Sequence, residues 1–127
     1  MEPSHEVSAF CPHYHRAVEV VGRRWTGAIL RALLAGVGRF SELKACIPEL
    51  TDRMLSERLK ELEREGIVER TIIPERPVRI EYRLTAKGRA LGAVIEALSV
   101  WAQEWLAPSA EGRAEQAAER SGARSSA

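Results

Sequence analysis

Apolar residues recur at helical spacing through the first part of the chain, and a glycine ends each run. The segment "HYHRAVEVVG" follows Pro12, which suits the first position of a helix, and Gly22 fits its end. A second run, "WTGAILRALLAG", ends at Gly36. Its apolar side chains fall on one face of a buried helix, and they are Trp25, Ile29, Leu30, Leu33 and Leu34. The pattern predicts two successive helices.

A short helix and then a longer amphipathic helix are predicted next. "GRFSELKACIP" indicates a short helix that is capped by Ser41 and ends before Pro48. In "TDRMLSERLKELEREG", Thr51 is a good N-cap and Gly66 is a common terminator. The inner face holds apolar residues at i, i+4 and i+7, which are Leu55, Leu59 and Leu62. The outer face is polar and carries Arg53, Ser56, Glu57, Lys60 and Arg64.

After this helix the apolar period changes from about 3.6 to about 2, which indicates strands. "VRIEYRLT" predicts a half-buried strand whose inner side holds Val78, Ile80, Tyr82 and Leu84. "IVERTII" is its expected partner, and the two prolines of the connecting "PERP" leave an exposed, basic loop tip. The segment "TAKGRALGAVIEALSVWAQEWL" then returns to helical spacing. Its broad apolar stripe consists of Leu91, Ile95, Leu98, Trp101 and Trp105.

This order of elements predicts a mostly α chain with a small β-ribbon, which is an α+β fold. A short helix joined by a tight turn to a longer one is typical of the helix-turn-helix, and a following two-strand ribbon makes it winged. The domain is expected to span residues 11–107. We expect residues 1–10 to be a flexible tail. Residues 108–127 lack apolar periodicity and predict a disordered tail.

Length and composition limit the class of protein. The 127 residues suit one domain, and no apolar run approaches the roughly 20 residues of a membrane span. The N-terminal "MEPSHEVSAF" lacks the basic and then apolar pattern of a signal peptide. Two cysteines are too few for a disulfide framework, which suits a reducing compartment. We therefore expect a cytoplasmic protein with no membrane partner.

The net charge of +1 conceals an uneven distribution along the chain. Residues 16–89 hold 16 Lys and Arg against 11 Asp and Glu, whereas residues 1–15 and 90–107 are each acidic by two charges. A basic middle segment is a weak indication of nucleic-acid binding, because surface basicity often serves solvation alone.

The motifs "RFSEL", "RMLSERLKELEREGIVER" and "YRLTAKG", in this order and spacing, resemble those of HxlR-type bacterial transcriptional regulators. The resemblance covers about residues 11–106. The family usually has Gly-Lys-Trp-Thr where this chain has Arg23, Arg24, Trp25 and Thr26. Arg24 keeps a positive charge for a phosphate contact, whereas loss of the glycine is expected to alter the turn.

The resemblance implies a homodimeric repressor or activator that binds near-palindromic operator DNA, with a dimer interface built from the N-terminal and C-terminal helices. The residues support a dimer independently, because the apolar stripe of the last helix is broader than one small core needs. The expected interface residues are Leu91, Ile95, Leu98, Trp101 and Trp105. Packing within the protomer's own core is the alternative explanation for that stripe.

The amphipathic helix is the candidate recognition helix, because its N-terminal residues would enter the major groove. Arg53 is suited to a two-pronged pair with guanine, and Ser56, Glu57 and Lys60 share its exposed face. The alternative is a solvated surface held by Arg53–Glu57 and Glu57–Lys60 ion pairs, which have the spacing of helical neighbours. The helix-turn-helix order favours DNA contact.

Further contacts with the DNA backbone or minor groove are expected from basic residues outside the recognition helix. They are the wing residues Arg76 and Arg79, together with Arg24, Arg39 and Lys44. For a symmetric dimer, the half-sites would lie about one helical turn apart, roughly 34 Å, or a multiple of it.

The segment "CPHYHR" raises a separate question, because it holds Cys11 beside two histidines. A thiol at a helix start, with an imidazolium at His15 four residues on, favours thiolate. In some family members a cysteine followed by proline at this position senses electrophiles or oxidants, so the resemblance implies that role for Cys11 by position. A packing role for Cys11 is the alternative. Cys46 is expected to be a small buried apolar residue.

Other functions are disfavoured by what the chain lacks. A zinc site needs four ligands, and the only spare ones are His5 and Cys46. There is no phosphate-binding glycine loop and no recognisable nucleophile arrangement, so we expect neither an enzyme nor a cofactor. A winged-helix protein–protein module and a metal-sensing repressor remain alternatives. A small-molecule or oxidant effector is compatible with the sequence.

Overall fold

The computed structural model describes residues 9–108, which form six helices and two strands. The elements are α1 (Pro12–Val21), α2 (Thr26–Leu34), α3 (Phe40–Cys46), α4 (Asp52–Arg64), β1 (Val68–Ile73), β2 (Arg79–Leu84), α5 (Ala86–Arg89) and α6 (Gly92–Trp105). The predicted α+β order is therefore confirmed. Apart from residues 9, 10 and 108, the two predicted tails lie outside the described residues. The chain divides into two units after Ile95, and the core belongs to the first.

The core is built mainly from the inner faces of α2, α3 and α4. Ile29 and Leu30 of α2 and Leu43 of α3 are fully buried, and they belong to one apolar cluster with the leucines of α4. The predicted face of α2 is correct except at Leu34, which is exposed. Trp25 precedes the helix as its N-cap, and it is half-buried and packs against the core.

The predicted boundaries of α4 are confirmed by its capping contacts. The Thr51 hydroxyl accepts a hydrogen bond from the Met54 amide at 3.1 Å. At the other end Gly66 has a φ of +74°, which a side chain would disfavour. The Ile67 amide donates to the Leu62 carbonyl at 2.9 Å, so the helix ends in a Schellman-type cap. Both signals were local, which is why the sequence revealed them.

The start of α3 differs from the prediction. Arg39, and not Ser41, is its N-cap, and no side chain caps the helix. The reason is a tertiary contact: Arg39 forms an isolated antiparallel bridge with Glu81, and the Tyr82 amide donates to the Gly38 carbonyl at 2.8 Å. Pairing with β2 holds Arg39 extended, so the helix begins at the next residue.

The β-ribbon is antiparallel, with Val68 opposite Leu84 and Ile73 opposite Arg79. Leu84 is buried as predicted, but Val78 precedes β2 and is 63% exposed. The polar side of β2 also departs from expectation. Arg79 and Glu81 are half-buried because they pair with charged neighbours.

The predicted last helix is two helices, α5 and α6, separated by Ala90 and Leu91. The Leu91 amide donates to Gly88 three residues back, which tightens the chain at the break. Gly88 is buried against Ile67, the residue before β1, and against the end of β2: a Cβ there would clash with the Ile67 carbonyl oxygen and lie 2.9 Å from Leu84 Cδ2.

The turn before α2 tolerates arginine where the resemblance favoured glycine. Trp25, with a φ of 75°, is the non-glycine residue of positive φ within residues 9–108. Arg23 therefore needs no left-handed conformation, and its guanidinium pairs with Glu61 at 3.1 Å.

Two glycine substitutions test this packing. Gly88→Ala should lower the free energy of unfolding by about 2 kcal/mol, because its methyl group would overlap the Ile67 backbone. The matched variant Gly27→Ala should raise it by about 0.5 kcal/mol, because a Cβ at this helical position meets no atom within 4 Å. Urea unfolding followed by circular dichroism measures both. Equal stability of the two variants would refute the close contact between Gly88 and Ile67.

Candidate nucleic-acid interface

The outward face of α4 carries the residues that were predicted to contact DNA. The Arg53 side chain is 89% exposed at the second position of the helix. Lys60 and Glu57 are also exposed, and Ser56 is half-buried beside them. Because the leucines of the opposite face are buried, this polar face is held outward.

The ion pair that was the alternative explanation of this face is present in part. Arg53 Nε lies 3.3 Å from the Glu57 carboxylate. Within residues 9–108 no ion pair joins Glu57 to Lys60, although their spacing allowed one. An exposed pair of this kind contributes about 0.3–0.5 kcal/mol. It orients Arg53 at little cost to a competing DNA contact.

A groove of about 490 Å³ separates the tip of the wing from the start of α3. Three of the predicted DNA-binding residues line it, namely Arg39, Arg76 and Arg79, with Ser41 and Glu75 among its other walls. The structure thus brings together two wing arginines and one arginine of the helix-turn-helix that are distant in sequence.

The three arginines differ in how strongly they are paired. Arg79 Nη1 lies 3.4 Å from the Glu75 carboxylate, and Arg79 Nε lies 3.0 Å from Glu81. That Nε is buried and is not aligned for a hydrogen bond, so the second contact is an ion pair only. Arg39 Nε is 3.9 Å from the same Glu81 oxygen. Arg76 is exposed at the tip.

The two remaining predicted residues lie elsewhere and have internal partners. The Arg24 guanidinium lies 5.2 Å from the centre of the Trp25 ring, a cation–π distance. Lys44 is half-buried, and its Nζ donates to the Pro48 carbonyl at 3.3 Å, across the end of α3.

Arg58 holds α4 in place, and the sequence did not indicate it. Its side chain is 11% exposed, with Nε donating to the Arg24 carbonyl at 3.0 Å and Nη1 to Glu61 at 3.2 Å. The contact with Arg24 ties the middle of α4 to the turn before α2. Its place between Leu55 and Leu59, at the edge of the apolar stripe, was the available signal.

Helix α1 carries an apolar surface that the protomer does not cover. None of its residues is buried, and Tyr14 and Val18 are 71% and 47% exposed. Cys11 is the half-buried N-cap of α1, with Pro12 next to it. Its spacing to Tyr14 and Val18, i+3 and i+7, puts the thiol on the same side as that surface.

The predicted interface residues in and just before α6 fall into two groups. Ile95 is buried in the core of the first unit, and Leu91 packs against that core, so both serve packing within the protomer. Further along the helix, Leu98, Trp101 and Trp105 are 58%, 51% and 68% exposed. They follow one another at i, i+3 and i+7 on one helix face.

Cys46 and His15 are the other side chains for which the sequence suggested a role. Cys46 is exposed, so the prediction that it is buried was wrong. Its position at the last residue of the short α3 leaves it outside the core. His15 lies 3.7 Å from Glu19 and packs against the Phe10 ring at 5.2 Å.

Residues 9–108 contain neither a candidate metal site nor a candidate membrane span. No group of three or more His, Cys, Asp or Glu residues in that range is arranged to hold a metal ion. None of the helices there is long and apolar enough to cross a membrane. The spare histidine His5 lies outside the described residues.

This arrangement of helices and ribbon is a winged helix-turn-helix, which the chain shares with solved transcriptional regulators. The family model described as HxlR-like helix-turn-helix matches residues 20–110. The chain therefore belongs to the HxlR-like helix-turn-helix family, as the sequence motifs indicated. The matched family and relatives are regulators of transcription and not enzymes.

Two relatives from Bacillus subtilis (strain 168) are similar over most of the chain. The HTH-type transcriptional regulator YvaP is 53% identical over 102 residues, covering 80% of this chain and 94% of YvaP. The regulator YodB is 44% identical over 101 residues, covering 80% and 90%.

Solved structures of transcriptional regulators are also similar to this chain. Reduced YodB superimposes with a TM-score of 0.68 at 45% identity, covering 76% of this chain and 94% of that one. YodB has also been solved in diamide-treated and quinone-bound forms. The redox regulator HypR, in its oxidized form, has a TM-score of 0.69 at 34% identity, with coverage of 74% and 96%.

Proposed function

We propose that the chain is a cytoplasmic, sequence-specific transcriptional regulator that binds near-palindromic operator DNA as a homodimer and responds to oxidants or electrophiles through Cys11. The observation that carries DNA binding is the outward face of α4. Arg53 is 89% exposed at the N-terminal end of a helix whose opposite face is locked into the core. An interaction-only winged helix would have no need of such a basic face.

The geometry of Arg53 favours recognition of guanine. Its contact with Glu57 is through Nε and its side chain is 89% exposed, so the terminal nitrogens would be accessible to the O6 and N7 acceptors of guanine. Lys60, two turns further along α4, would neutralise a phosphate. Arg39, Arg76 and Arg79 around the wing groove would add contacts with the backbone or minor groove.

DNA binding is tested first by selecting bound duplexes from a random pool, which yields operator sequence and half-site spacing together. Arg53→Ala should then weaken operator binding about tenfold or more and relax preference at one base position. Lys60→Ala should weaken binding to all sequences and reduce the salt slope by about one.

Arg64→Ala is the matched control for these variants. Arg64 is an exposed arginine on the same helix, about 16 Å further along its axis than Arg53. It should change operator affinity by less than about twofold. Unchanged affinity in both Arg53→Ala and Lys60→Ala at physiological salt would defeat the proposal for α4.

A homodimer is supported by the uncovered apolar side chains of the terminal helices. Tyr14 and Val18 of α1, and Trp101 and Trp105 of α6, are each about half exposed or more. Apolar surface of this kind on a small protein marks an interface. A second copy of the chain is the occupant that the family fold favours.

Sedimentation velocity tests the dimer. The wild-type chain should sediment as a dimer at micromolar concentration, and Trp101→Glu should shift it to monomer, because a buried carboxylate without a partner is costly. Gln103→Glu adds the same charge to the same helix at an exposed polar position and should leave the dimer intact. A wild-type monomer at micromolar concentration rules the interface out.

Redox control through Cys11 is supported by its place at the start of α1 and by the relatives. YodB has been solved in diamide-treated and quinone-bound forms, and HypR is a redox regulator. Cys11 shares a side of α1 with Tyr14 and Val18. A quinone adduct or disulfide on this thiol would therefore add bulk, or a crosslink, at the surface assigned to dimerisation.

Diamide or a quinone should lower operator affinity of the wild-type chain by about tenfold, within the usual range of coupling between sites. Cys46→Ser keeps Cys11 and should respond like the wild type, whereas Cys11→Ser should not respond. Because Cys46 is exposed, this pair of variants is needed to assign the effect. An equal response in Cys11→Ser would end the assignment.

A further inference from the structure

Glu81 lies where the wing meets the helix-turn-helix. The Glu81 backbone pairs with that of Arg39 in an isolated antiparallel bridge. The amide of the next residue, Tyr82, donates to the Gly38 carbonyl at 2.8 Å. The two backbones approach so closely that a Cβ on Gly38 would lie 2.7 Å from the Tyr82 carbonyl oxygen. Backbone contacts therefore fix the position of the Glu81 carboxylate beside α3.

One oxygen of this carboxylate is shared by two of the proposed DNA-binding arginines. Glu81 Oε2 lies 3.0 Å from Arg79 Nε and 3.9 Å from Arg39 Nε. Arg79 is held on its other side by Glu75 at 3.4 Å. The groove between wing and α3 thus presents arginines that already have an internal counter-ion.

These ion pairs are open to competition from DNA. The Arg39 and Arg79 side chains are 45% and 28% exposed, and pairs at such exposure are weak and screened by salt. A phosphate oxygen entering the groove would seek the same guanidinium groups. A duplex must either use the arginines where Glu81 holds them or pull them away from it.

We propose that Glu81 is a specificity-determining residue: it restrains Arg39 and Arg79, and so penalises duplexes whose phosphates do not match their restrained positions. This inference rests on the proposed DNA binding and assigns a role within it. An operator, aligned by α4, uses the arginines in place. Duplexes of other sequence have to break the contacts of Arg39 and Arg79 with Glu81. Breaking these contacts lowers the affinity of the chain for such duplexes relative to the operator.

The test compares Glu81→Gln with Glu69→Gln by fluorescence anisotropy. Glu69 is an exposed residue of the neighbouring strand, so its substitution makes the same change of net charge. The probes are the selected operator and a shuffled duplex of equal length and composition, each over a salt series. Glu81→Gln should raise affinity for the shuffled duplex about three- to fivefold, the worth of a partly exposed ion pair, and change operator affinity less than about twofold.

Three further measurements make the mechanism specific. In Glu81→Gln the salt slope for the shuffled duplex should steepen by about one, because a released arginine reaches another phosphate. Adding Arg79→Gln to Glu81→Gln should remove most of the gain. Glu75→Gln frees Arg79 from its other carboxylate and should give a smaller gain in affinity for the shuffled duplex. This variant replaces Glu81→Gln in the test if Glu81→Gln folds poorly.

The outcomes are distinguishable. Equal behaviour of Glu81→Gln and Glu69→Gln, loss of operator affinity without gain for the shuffled duplex, or no gain in Glu75→Gln would each overturn the role of Glu81 while leaving DNA binding intact. A wild-type chain that binds neither duplex would overturn the proposed function, and the role of Glu81 with it.

Discussion

Three leucines of α4, Leu55, Leu59 and Leu62, are at most 2% exposed and lie in one cluster with Leu30 and Leu43. Each buried leucine contributes about 1.5–3 kcal/mol, so this seam is strong enough to fix the rotation of α4 about its axis. The basic residues lie on the face of α4 opposite the leucines, so burial of the leucines turns them to solvent. The wing follows directly from the same helix, so its direction depends on the same seam.

The parts of the fold that the sequence predicted are those with local causes. Thr51 and Gly66 mark the ends of α4 through contacts within a few residues of themselves. The start of α3 was missed because it depends on pairing between Arg39 and a strand some forty residues later. The break between α5 and α6 was also missed, since it arises where Gly88 packs against Ile67 and Leu84.

The sequence predicted which basic residues belong to the candidate site, but it did not predict which carboxylates they pair with. The exposed basic residues of α4 followed from helical periodicity, and the wing arginines followed from the loop prolines. Which carboxylate meets which arginine depends on strand register, because Arg79 and Glu81 share a side of β2 beside Arg39. Arg58 was missed for a similar reason: an arginine at the edge of an apolar stripe looks solvated until its partner, the Arg24 carbonyl in the turn before α2, is known.

Helix α1 has 10 residues, none of them buried, and an isolated helix shorter than about 12–15 residues is marginal in water. In a separate protomer its first turns would be only weakly held, since the apolar side chains there have little to pack against. In the proposed dimer, association with another copy would complete the folding of the segment that begins at Cys11. Under the proposed redox control, the reactivity of that thiol would then depend on protein concentration, so that the amount of regulator in the cell would itself set how readily it responds.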